Sequence, residues 1–391
     1  MNILTLAPPL ARGVLALLMA LPLITGCGQD TTPGRVSSPA ADARRDQDLV
    51  KMPKELWVTS QGGNVLLIRN FEDLSPIDQI DLPAGSGPHI ITFHTPDFAY
   101  VGGMTDGNVY VIDANARRVV QTLNVAPTLA HQVKLSPDGS TALVAIIGAR
   151  RLTKLDVDEA SRRWSIDVSL DIGAATGKAP ICTVFRADGK RAFVSLNPSG
   201  IAIVDVPTMT YIGQIATDGF IACGMIKQDL DHVVIASAGS GGHIYTLDMN
   251  TETLTDRGVL GAASWHSFNM TADGTRGFGS SPMSDEVIVI DLTTTPVKNL
   301  GSIRFDQVSG VGNNQPDAFG GGEVIYGNVL PVGLRAAGNV AVINSNNLKV
   351  RTLVNLEPPA PFNPMTCGPA VGPPTSPGGC AIHGVTPRPR W

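Results

Sequence analysis

Aromatic residues are scarce in this chain of 391 residues, with 11 Phe, 5 Tyr and 4 Trp. A core must then be built mainly from aliphatic side chains, which supply most of the 43% of the sequence that is hydrophobic. Charge is sparse too, at 16%, and 29 basic against 34 acidic residues give a formal −5 with no long basic run. That argues against an electrostatic grip on nucleic acid as the main activity. Catalytic signatures are also missing: there is no Gly-x-Ser-x-Gly elbow, no His-Glu-x-x-His, no EF-hand loop and no Cys-x-x-Cys-His haem attachment. The stretch Gly173-Ala-Ala-Thr-Gly-Lys178 has three residues between its glycines where a phosphate loop has four, and Ala179 replaces the Ser or Thr. It reads as a loop between repeats. What the chain has in quantity is 42 Gly and 29 Pro, a composition suited to many short strands and tight turns.

Residues 1–26 carry one basic residue, Arg12, and then an apolar stretch from Gly13 to Ile24 interrupted by Pro22. Such a run is too short to cross a bilayer as a permanent helix and fits the hydrophobic region of an export signal. It ends in Leu23-Ile24-Thr25-Gly26-Cys27, which resembles the bacterial lipobox. The resemblance implies diacylation of Cys27, attachment to membrane through a lipid anchor, and a place in the bacterial cell envelope. Gly28, where retention at the inner membrane wants Asp, implies the outer membrane facing the periplasm. Residues 27–49 are polar and read as a flexible tether. Residues 357–391 hold ten Pro and five Gly and read mostly as a loop-rich tail.

Between tether and tail, an apolar run ending in Asp recurs: Val109–Asp113, Leu152–Asp156, Ile201–Asp205, Ile244–Asp248 and Val287–Asp291, with weaker copies at Val65–Arg69 and Val340–Asn344. The repeat is about 43 residues long, and turn signals such as Ser136-Pro-Asp-Gly139, Arg186-Ala-Asp-Gly189 and Thr271-Ala-Asp-Gly274 precede several copies. Strands expected after these turns include Ala99–Gly103, Ala192–Leu196 and Val324–Asn328. Four strands per repeat make an antiparallel sheet with two apolar faces, which needs neighbours on both sides. The expectation is an all-β, seven-bladed propeller over residues 50–356. Its first blade lacks an innermost strand before Leu56-Trp-Val-Thr-Ser60, and Ala381–Pro387 offers one from the tail.

Trp57-Val-Thr-Ser60, Tyr100-Val-Gly-Gly103, the Ser-Pro-Asp-Gly turn and the Val-x-Val-Ile-Asp strand resemble the YVTN-repeat propellers. That superfamily is similar to the haem d1 domain of cytochrome cd1 and the beta chain of quinoprotein amine dehydrogenase. The resemblance implies fold and leaves activity open. The four Trp do not recur at the repeat period, which argues against WD40.

The recurring Asp113, Asp156, Asp205, Asp248 and Asp291 are expected to bond turn amides. A second register bears on function. His131 and His266 each stand seven residues before the turn residues Asp138 and Asp273, and His89 stands seven before Pro96. Cys182 and Cys223 fall one place later in their repeats. These five are the candidate residues of a central funnel, where imidazole and thiolate suit a transition metal such as copper or zinc. The competing role is structural, with each His bonded to a neighbouring blade and each Cys a small buried hydrophobe. Cys367 and Cys380 enclose a short loop and are the preferred disulfide in an oxidising compartment, over a Cys182–Cys223 bond, which would need a local departure from ring symmetry. The reading that follows is a non-catalytic envelope propeller binding a protein or small-molecule ligand. Handling of a metal or redox cofactor, or a lactonase-like hydrolysis, stand as alternatives.

Overall fold

The structure, a computed structural model, describes residues 52–219, 221, 225–237, 241–261, 265–309, 314, 316–317, 325–356 and 382–390. The export segment, the tether with Cys27, and Cys223, Cys367 and Cys380 lie outside them.

Seven sheets of four antiparallel strands are arranged as seven blades. For blades 1 to 7 in turn, the innermost strands are Ile382–Pro387, Pro88–Phe93, Ala130–Leu135, Ala179–Phe185, Ile226–Lys227, Ser267–Met270 and Pro316–Asp317. Burial orders each blade radially. All six residues of Ile382–Pro387 are buried, whereas the fourth strands, such as Thr210–Ile215, alternate exposed and half-buried positions. Packed blades cover each other's faces, and clusters such as Leu143, Phe185, Val194 and Val204 fill the wedges between them.

The repeat works as its sequence suggests at the outer turns. Asp113, Asp205, Asp248 and Asp291 each accept backbone N–H bonds from residues two or three positions on. Blade 3 departs: its third strand runs to Asp158, which accepts the Ser161 amide, so Asp156 stays within the strand. Blade 7 departs as well. The second strand is Val329–Leu334 rather than Val324–Asn328, because the chain turns at Gly327, where φ is +58°.

Blade 1 is assembled from both ends of the described chain. Ile382–Pro387 pairs antiparallel with Glu55–Ser60. Both strands reach blade 2, where Thr386 Oγ1 donates to the Ile91 carbonyl and Thr59 Oγ1, on Glu55–Ser60, donates to that of His89. Arg388 adds a backbone bond to Glu55 and a side-chain bond to the Pro96 carbonyl.

Candidate functional site

The innermost strands of blades 1 to 4 share an irregularity near their N-terminal ends. Between Pro88 and Ile91, Ala130 and Gln132, Pro180 and Thr183, and Ile382 and Val385, the inner strand carries one more residue than its partner. A β-bulge bends the strand and re-aims its side chains. His89, His131, Cys182 and His383 each lie within one of these bulges.

Three of the four are brought together with His266, which directly precedes the inner strand of blade 6. The rings of His89 and His383 lie 3.5 Å apart between centroids, those of His89 and His131 4.5 Å, and those of His266 and His383 5.4 Å. All four are buried. Asp317, fully buried on the inner strand of blade 7, places Oδ2 3.1 Å from His266 Nδ1 and 3.6 Å from His383 Nε2. Arg335, in the loop after Val329–Leu334, places Nη1 3.0 Å from His266 Nε2 and 3.4 Å from His383 Nε2.

Burial dominates the protonation of these groups. It pushes the His89 and His383 imidazoles well below their ordinary value, helped at His89 by His131, His266 and Arg335 and at His383 by His89, Arg335, His266 and His131. His131 falls to about 3, chiefly through burial and then through His266, against the raising effects of the Ile181 carbonyl and Asp317. His266 is lowered by burial and then Arg335, with Asp317 opposing. Burial pushes the Asp317 carboxyl up, but His266, Arg335 and Ser267 outweigh it and leave it below the usual carboxylate range. At neutral pH the site is therefore four uncharged imidazoles around one carboxylate and one guanidinium.

Hydrogen bonds set some tautomers. His131 Nδ1 lies 3.0 Å from the Ile181 carbonyl, which can only accept, so Nδ1 carries the proton and Nε2 is left as an acceptor. Because Arg335 can only donate, its bond to His266 Nε2 puts the His266 proton on Nδ1, facing Asp317. His89 Nδ1 meets the Gln61 amide at 2.7 Å, and its Nε2 has no hydrogen-bond partner among the described residues; nor has His383 Nδ1.

The sequence-derived candidates His89, His131 and His266 thus share one site, and Cys182 borders it with Sγ 3.9 Å from His131 Nδ1. As a thiolate ligand Cys182 is corrected: it is disulfide-bonded, so its sulfur has no proton to lose and no free charge to offer a metal. Its equivalence with Cys223 by repeat register says nothing further, since Cys223 is outside the described residues. Three members of the site escaped the sequence reading. His383 was hidden because matching Pro387 with Pro137 sets it two residues out of register with His131. Asp317 stands on a two-residue strand with no turn signal. Arg335 follows an apolar strand as any surface residue would, and only its burial marks it.

No family model matches the chain, and no curated protein matches it. Solved structures do resemble it. Kuenenia stuttgartiensis hydrazine synthase is similar over 68% of this chain and 78% of that one, at 17% identity and a TM-score of 0.55. A putative 6-phosphogluconolactonase from Bacteroides fragilis matches over 64% and 81%, at 14% identity and a TM-score of 0.55. Dihydro-heme d1 dehydrogenase NirN in complex with DHE matches over 84% and 82%, at 16% identity and a TM-score of 0.54. At these identities the likeness is one of propeller fold, and it spans enzymes and a haem-related protein.

Proposed function

We propose that the protein is an envelope lipoprotein, held to the membrane through Cys27, whose propeller binds a ligand at the axial histidine end without turning it over. The observation that carries this reading is the convergence of four neutral imidazoles, from blades 1, 2, 3 and 6, around one buried carboxylate and one buried guanidinium. A fold that needs only aliphatic packing on its axis has no use for this set, and burying it is costly. Binding is favoured over hydrolysis because the nucleophile beside a histidine, Cys182, is tied up as a disulfide. The alternative of handling a metal or redox cofactor places its ligand at the same end, and the lactonase-like alternative draws only on likeness of fold.

The test is native mass spectrometry of full-length protein extracted from its own envelope in mild detergent without chelator. Wild-type protein should carry a bound species that a His89→Ala, His131→Ala double variant loses, and acyl chains that Cys27→Ser lacks. Protein recovered without any bound species, or with one the double variant retains, overturns axial binding. Unacylated wild-type protein overturns the anchor.

A further inference from the structure

His266, Asp317 and His383 come from three different blades, 6, 7 and the composite blade 1, so they meet only in the closed ring. Each offers one donor atom, and these atoms lie within 4.8 Å of one another. Two of the separations, 3.1 Å from Asp317 Oδ2 to His266 Nδ1 and 3.6 Å to His383 Nε2, are close to what one ion requires. Bonds of about 2.0 to 2.2 Å around a tetrahedral centre put neighbouring donors roughly 3.2 to 3.6 Å apart. From these distances we propose that His266, Asp317 and His383 bind one first-row divalent transition-metal ion, and that Arg335 stands in for that cation in the metal-free protein. The assignment rests on the axial-binding reading and names its ligand class.

Two imidazole nitrogens and one carboxylate oxygen form a donor set that suits zinc, cobalt or iron(II) and leaves at least one position open. Calcium and magnesium prefer all-oxygen shells and are poorly served here. The two imidazoles and the carboxylate are all buried. A second observation points the same way: His266 Nδ1, one of the three donors, is buried and makes no hydrogen bond among the described residues. A purely structural histidine has both nitrogens satisfied, since an unmade buried bond is costly.

Arg335 explains how so much donor capacity is held together without an ion. Its Nη1 lies within 3.4 Å of Nε2 on both histidines, using lone pairs that would otherwise face one another. A metal on His266 Nδ1 moves the His266 proton to Nε2, which the guanidinium cannot accept. Arg335 must then turn away from His266, and on His383 ion and guanidinium compete for the same Nε2. His89, stacked on His383, backs the site without supplying one of the three donors.

The experiment is a cobalt(II) titration of full-length, chelator-stripped protein, followed by the visible absorption of the bound ion and by zinc competition. One cobalt per chain is expected, with intense bands of a four- or five-coordinate ion. His383→Ala and Asp317→Asn should each weaken binding by at least about 100-fold. Arg335→Met, which removes the competing cation, should tighten it by at least about tenfold. His243→Ala, in the separate His243, Asp218 and Asp256 group on blade 5, should change nothing. Circular dichroism of each variant confirms that the ring is folded. The gain in Arg335→Met keeps the proposal testable even where Asp317→Asn fails to fold. Absence of saturable cobalt binding, unchanged affinity in His383→Ala, or weaker binding in Arg335→Met each overturns the assignment. If cobalt does not bind while native protein carries an organic species at the axial end, the metal is wrong and axial binding stands. If native protein carries nothing and cobalt does not bind, both fall.

Discussion

His89 and His383 stack with ring centroids 3.5 Å apart and planes inclined by 37°, although one lies in the first complete blade and the other in the last strand of the described chain. Ring closure and the axial site are therefore one construction. The backbone amide of Gly384, next to His383, donates to Thr59 Oγ1, which in turn donates to the carbonyl of His89. Whatever fastens the closing strand also sets the distance between the two imidazoles.

Removing that strand should undo the fold as well as the site. A chain ending at Leu356 loses the innermost strand of blade 1, all of it buried, and leaves the edge Glu55–Ser60 unpaired. The expected outcome is loss of a single cooperative melting transition in calorimetry, with aggregation on concentration. A truncated chain that melts within a few degrees of the full one shows that the closing strand contributes little.

A smaller change tests the same contact. A Cβ added at Gly384 would meet the His89 carbonyl oxygen at 2.6 Å, closer than real side chains approach backbone. Gly384→Ala should cost about 1 to 3 kcal/mol, because both backbones are held by bonds across the seam. The readout is the denaturant midpoint at unchanged slope, and an unchanged midpoint shows that the strand shifts freely.

The propeller was legible because one pattern recurs: a strand such as Val287–Asp291 ends in an Asp that bonds the next turn, and counting the copies gives seven blades. The register of His89, His131 and His266 was legible for the same reason. Blade 7 obeyed the pattern least. Its inner strand is two residues long, so Asp317 carried no periodic signal, and Gly327 moved the second strand five residues along from the expected Val324–Asn328. Cys182 was misread because repeat symmetry gives every blade the same environment. Its disulfide needs a second cysteine and so breaks that symmetry.

That disulfide makes a prediction of its own. Cys182 is 1% exposed and borders His131, so it should resist alkylation in the folded protein and in unfolded protein kept oxidised. Non-reducing peptide mapping should recover it linked to another of the chain's cysteines. Cys182→Ala should lower stability by about 2 to 4 kcal/mol. Quantitative alkylation of Cys182 in unreduced, denatured protein contradicts the bond.

Acid sensitivity should begin well above the carboxylate range, and His131 allows the sign to be worked out. Its imidazole titrates near 3 in the folded protein against 6.5 ordinarily. Between those values the unfolded chain takes up a proton that the folded chain refuses, so stability is complete above pH 6.5 and declines as pH falls. The slope is about 1.4 kcal/mol per pH unit for such a group while the unfolded form is fully protonated. Wild type and His131→Gln should be compared by denaturant midpoint at pH 7.5, 6 and 5 in chelator-stripped protein. Carboxylates contribute equally to both chains, so the difference between them isolates the imidazole. The variant is expected to be less stable at pH 7.5, having lost the bond to the Ile181 carbonyl, and to lose less on acidification. Parallel pH profiles would mean that His131 takes up its proton equally in both states, and the buried neutral imidazole on which the axial site depends would then be wrong.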